Sequence, residues 1–251
     1  MRTLFISKSL FFLVAVFSAV ALTASPEFHI TKYVKFVQDS QESIKEKIKA
    51  SYPVADSTEP EASDPKERTK RQKRSKKYNG HVVVVGPQLV QSSEGYHWPA
   101  DFKPIPVSAS DTIIVGTICD ANAHLAEDKN SVYSEFTLRI DSLLKNNTGL
   151  SLISRESVTL VRRGGRVRYP SGHISWFFVV GQGMPKLNAR YVLFLKMTDE
   201  EGLFDILTGY EIRDGRIEPL DYSPGVVGFD RYSGSDATAF INEIRSTIAQ
   251  P

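Results

Sequence analysis

Four arginines, a histidine and a tryptophan crowd one short stretch: Arg162, Arg163, Arg166, Arg168, His173 and Trp176, gathered around Gly164-Gly165. Guanidinium groups grip carboxylates and phosphates at two points. The chemistry this cluster offers is therefore anion recognition, with polysaccharide carboxylates, phosphate groups or an acidic protein patch as ligands. Ser157–Arg163 and Arg166–Tyr169 flank the glycine pair, a two-residue signal for a type I′ or II′ hairpin. Pairing across it sets Arg163 opposite Arg166, and like charges directly opposite destabilise a strand pair. Either an anion is met there, or these are outward edge charges that block strand-to-strand aggregation.

Other chemistry is thinly represented. The sequence has no His-Glu-x-x-His, Gly-x-Ser-x-Gly or phosphate-loop motif, and its five histidines lie far apart with no pair at helix-face spacing. Asp120-Ala-Asn122 begins like a calcium loop, but Leu125 and Ser131 stand where that loop needs Gly and Glu. Asp199-Glu-Glu201 reads as a solvated turn between two strands, and Tyr210, Glu211 and Asp214 could gather carboxylates only in space. The single cysteine, Cys119, excludes an intrachain disulfide framework and any multi-cysteine zinc site. Its β-branched, apolar neighbours predict a buried strand cysteine. No catalytic set, metal or cofactor is predicted.

The elements that must position the cluster are mostly strands. Asp111–Cys119 is β-branched and apolar, with Gly116 where a bulge or sharp bend belongs. Val132–Leu144 alternates: Val132, Ser134, Phe136, Leu138, Ile140 and Ser142 share one face, and Tyr133, Glu135, Thr137, Arg139 and Asp141 share the other. Thirteen residues is long for a strand, as a strongly bent strand of a small barrel would be. Further strands are predicted at His81–Gly86, Ser157–Arg163, His173–Val180, Arg190–Met197, Leu203–Leu207, Tyr210–Ile212 and Arg216–Leu220. Ser235–Ala249 is a helix with Ala239, Phe240, Ile244 and Ile248 on one stripe and Asp236 at its start.

The order Ser110–Ile118, Tyr133–Lys145, a Val-rich strand into Gly164-Gly165, Asn188–Leu195 and an Asp214-Gly215 hairpin resembles the OB-type barrel of uncharacterised exported bacterial proteins. It is similar, more distantly, to netrin-like domains such as the tissue inhibitors of metalloproteinases. The resemblance covers about residues 105–222 and implies a small antiparallel OB-like barrel packed by a C-terminal helix. It implies no activity. Those inhibitors reach a protease metal through an N-terminal cysteine, and no cysteine stands near this chain's N-terminal region.

Upstream, Arg2 and Lys8 precede a run, Leu10–Leu22, apolar except for Ser18, with Ala19-Val-Ala21 near its end as a cleavage pattern. About 13 residues span roughly 20 Å, short of a hydrocarbon core near 30 Å. Residues 1–24 thus read as a signal peptide, with an uncleaved anchor as the alternative. Residues 25–52 read as a short amphipathic helix on Ile30, Val34, Val37, Ile44 and Ile48. Residues 53–80, with eight basic residues between Lys66 and Lys77, read as a charged disordered linker or a cationic tether. The barrel domain occupies 81–251, where 16 Lys and Arg face 20 Asp and Glu, leaving −4, against +6 for residues 1–80. That balance argues against nucleic acid as a partner. The expectation is an exported module, periplasmic or secreted, that binds an anionic envelope polymer or a protein. Membrane contact would come only through the basic run or an uncleaved leader. A hydrolase or protease-directed inhibitor with a site assembled from scattered residues is the alternative.

Overall fold

The computed structural model describes residues 52–80, 83–85, 90–91, 98–99, 101–179, 181–222 and 227–250. The predicted leader and the helix predicted over 25–52 lie outside them, Tyr52 excepted. In chain order the elements are β1 (Val54–Asp56), α1 (Pro65–Lys77), β2 (Val83–Val85), β3 (Val90–Gln91), β4 (Thr112–Leu125) and β5 (Val132–Asn146). There follow β6 (Ser157–Arg163), β7 (Gly165–Arg168), β8 (Ile174–Phe178), β9 (Arg190–Met197), β10 (Leu203–Arg213) and β11 (Arg216–Pro219). A 3-10 turn, Phe229–Tyr232, leads into α2 (Ala237–Ala249).

The fold is mostly β. Its larger sheet runs β11-β10-β6-β5-β4-β9, antiparallel except for the parallel pair β6–β10, and β10 also pairs with β9. The alternating face of β5 packs inward as predicted, with Phe136, Leu138 and Ile140 buried. Register shifts along β4–β5, one of them between Val115 and Gly116, let these long strands bend. A Cβ on Gly116 would stand 2.4 Å from the Arg139 carbonyl oxygen, so only glycine fits that bulge. Another shift, between Ile118 and Asp120, falls on Cys119. It turns this side chain outward, and the cysteine predicted to be buried is exposed.

The smaller sheet runs β1-β7-β8-β2-β3. Here the structure corrects the predicted hairpin: β6 and β7 do not pair across Gly164-Gly165. Both edges of β6 are already taken, by β5 and β10, so the chain must leave that sheet and start another. Gly164 (φ 111°) and Gly165 (φ 151°) make this corner. Added Cβ atoms would meet Met184 Cε at 2.8 Å and Val132 Cγ1 at 2.7 Å, respectively. The hairpin that does form joins β7 to β8 through Tyr169–His173 and sets Arg166 opposite Trp176.

Residues 53–80 are not a disordered linker in this structure. β1 adds in parallel to the edge of β7, and α1 is a capped helix. Asp64 accepts from the Lys66 amide, Pro65 opens the helix, and Arg74, Lys76 and Lys77 sit at its negative end. Low hydropathy predicts disorder because nothing can be buried. It does not register opposite charges waiting on the sheet, and those hold α1 in place. At the far side, α2 buries Phe240 and Ile244 against Tyr210, Ile217 and Tyr232, and its Asp236 accepts from the Ala239 amide.

Candidate functional site

The corner divides the six predicted site residues. Arg162, inward-facing on β6, is buried, and its Nη2 donates to both oxygens of Asp221 at 2.7 and 2.8 Å. The same carboxylate accepts from the Gly183 amide at 2.9 Å. Arg162 is therefore a structural ion pair rather than a ligand site. Tyr52 lies in the same buried neighbourhood, where desolvation and the Asp221 charge outweigh Arg162 and push its hydroxyl up to about 12. Arg163 turns the other way, with its guanidinium 5.8 Å from the centre of the Tyr78 ring and 3.4 Å from the Asn79 carbonyl oxygen.

The other four remain together on the β7–β8 hairpin. Val167 and Phe177 point into the interface with Ala123 and Val132. Register and alternation place Arg166, Arg168, Ile174 and Trp176 on the opposite, outer side. Arg168 is exposed and Trp176 half-buried. Arg166 Nε donates to the Tyr52 carbonyl at 2.8 Å, and burial together with the nearby Arg168 charge lowers its hold on its proton. Across β1–β7, Asp56 lies level with Arg168. It is held below the usual carboxylate range mainly by the Thr58 hydroxyl and amide, with Arg168 contributing less. At the turn, the rings of Tyr169 and His173 stack at 6.0 Å, and His173 Nε2 is 3.1 Å from Ser175 Oγ.

A second polar constellation was not anticipated. Arg74 of α1 reaches Glu135 on β5 (2.9 Å) and, through Nε (2.8 Å) and Nη2, both oxygens of Glu200 in the β9–β10 turn. Tyr78 stacks on Tyr133 with centroids 4.9 Å apart, which explains why Tyr133, on the outward face of β5, is buried. The predicted solvated turn Asp199-Glu-Glu201 is thus partly a docking point for the basic helix.

The Arg74 hydrogen bonds are the largest cause holding Glu200 below its ordinary value. A carboxylate depressed in the folded state adds stability above its unfolded pKa, about 4.3, and that contribution is lost as pH falls through the lower folded value. Arg74→Gln is expected to lower the urea midpoint at pH 7. The gap from wild type should narrow as pH drops through 4 toward 3, because protonated Glu200 no longer discriminates between the two chains. A gap that stays constant from pH 7 to pH 3 would assign the loss to packing instead.

Elsewhere, Tyr210, Glu211 and Asp214 do not converge. The Tyr210 hydroxyl donates to the Pro104 carbonyl, Glu211 pairs with Lys186 and Arg213, and Asp214 forms the β10–β11 turn. Among the described residues, no three His, Cys, Asp or Glu side chains are grouped to hold a metal ion, and no helix is long and apolar enough to cross a membrane. No protein-family model matches the chain, and no curated protein is significantly similar to it.

Proposed function

We propose that the protein is an exported, non-enzymatic binding module that holds an anionic polymer on the outer face of the β7–β8 hairpin, carried on an OB-type barrel. The barrel is supported by the pairing sequence β4–β5–β6–β10–β9, which returns to β4, and by its one parallel pair, β6–β10. Export rests on the leader pattern in residues 1–24.

One observation carries the binding role: β7–β8 register sets Arg166 and Arg168 beside Trp176 and Ile174 on the side away from the core. Arg168 presents an exposed guanidinium two residues from the Arg166 charge, a positive pair suited to a carboxylate or phosphate chain. The indole offers a flat apolar surface for a sugar ring or a polymer backbone.

Polygalacturonate and dextran sulfate are suitable probes for the full-length chain, with neutral dextran as control. Affinity should fall steeply between 50 and 300 mM NaCl, since screening shortens to about 8 Å at physiological ionic strength. Arg168→Ser with Trp176→Ala should weaken binding at least tenfold, whereas Lys66→Ser with Lys70→Ser on α1 should change it less than twofold. Loss of binding in the α1 variant alone would move the polyanion site to the basic helix and overturn this assignment.

A further inference from the structure

We propose that the acidic, tyrosine-bearing face formed by Tyr133, Glu135, Glu200 and Asp205 is a peptide-docking surface. Its ligand is a basic helical segment with the spacing Arg-x-x-Lys-Tyr, and the chain's own Arg74, Lys77 and Tyr78 occupy it in cis. This face is distinct from the outer side of β7–β8, carries the opposite charge, and does not depend on the polyanion proposal.

Each of the three docking residues has a matched receptor. Arg74 spans two carboxylates, Glu135 on β5 and Glu200 in the β9–β10 turn. Lys77 Nζ reaches one oxygen of Asp205 at 2.8 Å, and the Tyr78 hydroxyl donates to the other at 2.8 Å. One carboxylate thus reads two successive residues. The Tyr78 ring lies nearly parallel to Tyr133, with 18° between the planes, and the Arg163 guanidinium stands 5.8 Å from its centre. After the helix, Asn79 and Gly80 are read by the β4–β5 loop: the Gly80 amide donates to Asp128 at 2.8 Å, and the Asp128 amide donates to Asn79 Oδ1 at 3.0 Å. Residues at i, i+3 and i+4 share one helix face, so the receptor demands a spacing as well as a charge.

Most of the occupant lies at the surface, and only Tyr78, at its C-terminal cap, is buried, packed with Ala126, Tyr133, Val161 and Leu203. α1 buries none of its own side chains. Its further ion pair to the body, Lys73–Asp199, spans 3.8 Å with side chains 64% and 81% exposed. Pairs of that kind contribute little. Without its receptor, a helix of 13 residues is marginal in water. What keeps it seated is recognition at Arg74 and Tyr78, with the partly exposed Lys77–Asp205 pair adding charge selectivity, together with tethering, which supplies an effective concentration on the order of millimolar. A partner presenting the same three side chains on a helix would compete for the face.

The probe is a fluorescein-labelled peptide of residues 64–80, titrated into the full chain. In the variant Arg74→Glu/Tyr78→Ser, whose own segment is repelled from the face, the peptide should bind at least 30-fold more tightly than to wild type. Adding Glu135→Lys to that variant, or raising NaCl to 0.5 M, should abolish binding. A folded Arg74→Glu/Tyr78→Ser chain that fails to bind, or binds equally well with Glu135→Lys, overturns the proposal.

Wild type supplies a second measurement should that variant not fold. Unlabelled peptide at several millimolar should accelerate amide hydrogen exchange across residues 68–78 while β4 and β5 stay protected, as the cis helix is displaced and unwinds. Exchange unchanged by excess peptide would show α1 to be a permanent part of the fold and defeats the proposal.

Discussion

Arg162→Met, with Asp221 left in place, is expected to destabilise the domain by about 3–5 kcal/mol, the cost of leaving one member of a buried ion pair unpaired. The two side chains are only 2% and 0% exposed, so water cannot replace the lost partner. Asp221 would retain the Gly183 amide as its donor, which does not neutralise a buried carboxylate. The pair also has a topological role. It ties β6 to the segment just after β11 and, through Gly183, to the stretch following β8. Among the described residues, Nε and Nη1 of Arg162 have no hydrogen-bond partner, so the ion pair is itself incompletely satisfied. Arg162→Met with Asp221→Leu should therefore recover most of the loss, as removing a whole buried pair is often neutral or stabilising. Urea denaturation of the two single variants and the double variant measures this. A single-variant loss below 1 kcal/mol, or a double variant no better than either single, would contradict it.

Legibility in the sequence followed the range of the interactions. β4 and β5 were readable because alternation is local and survives bending, and Gly116 marked its bulge because only glycine tolerates the Arg139 carbonyl so close. α2 carried its cap and most of its stripe, although Ala239 faces solvent and Ala237 is buried in its place. The Gly164-Gly165 corner misled because the same dipeptide serves a hairpin or a change of sheet. The choice was made by β5 and β10 occupying both edges of β6, a long-range fact. Arg162 looked like a ligand residue because Asp221 stands 59 positions away, with no signal linking the two. The basic run at 66–77 and the acidic turn at 199–201 were each visible, and each alone reads as solvated charge. Only the fold brings them together, and only the fold shows that Tyr78 covers Tyr133.

Phe240→Asp is expected to leave the domain unfolded at neutral pH and 25 °C. Phe240 is 2% exposed, with ring centroids 4.7 Å from Tyr210 and 5.0 Å from Tyr232. Tyr210 is anchored in turn by its hydroxyl on the Pro104 carbonyl, and Tyr232 by a hydrogen bond to Glu243 on α2. Truncating such a phenylalanine to alanine costs about 3–5 kcal/mol through lost transfer energy and cavity formation. Aspartate adds the desolvation of a carboxylate among aromatic rings, several kcal/mol more. Set against a typical total stability of about 5–15 kcal/mol, the combined loss consumes the margin. The sign of the pH effect separates charge from cavity. A buried aspartate has its pKa raised on folding, so its extra penalty is greatest above that value and shrinks as acid protonates it. Phe240→Ala carries only the cavity cost at every pH, and Phe240→Leu should lose less than about 1.5 kcal/mol if the rings repack around it. Thermal unfolding at pH 7 should thus rank wild type, Leu, Ala and Asp in falling order of stability. A Phe240→Asp chain that unfolds within a few degrees of wild type would show that α2 is not seated on Tyr210 of β10 and Tyr232 of the 3-10 turn.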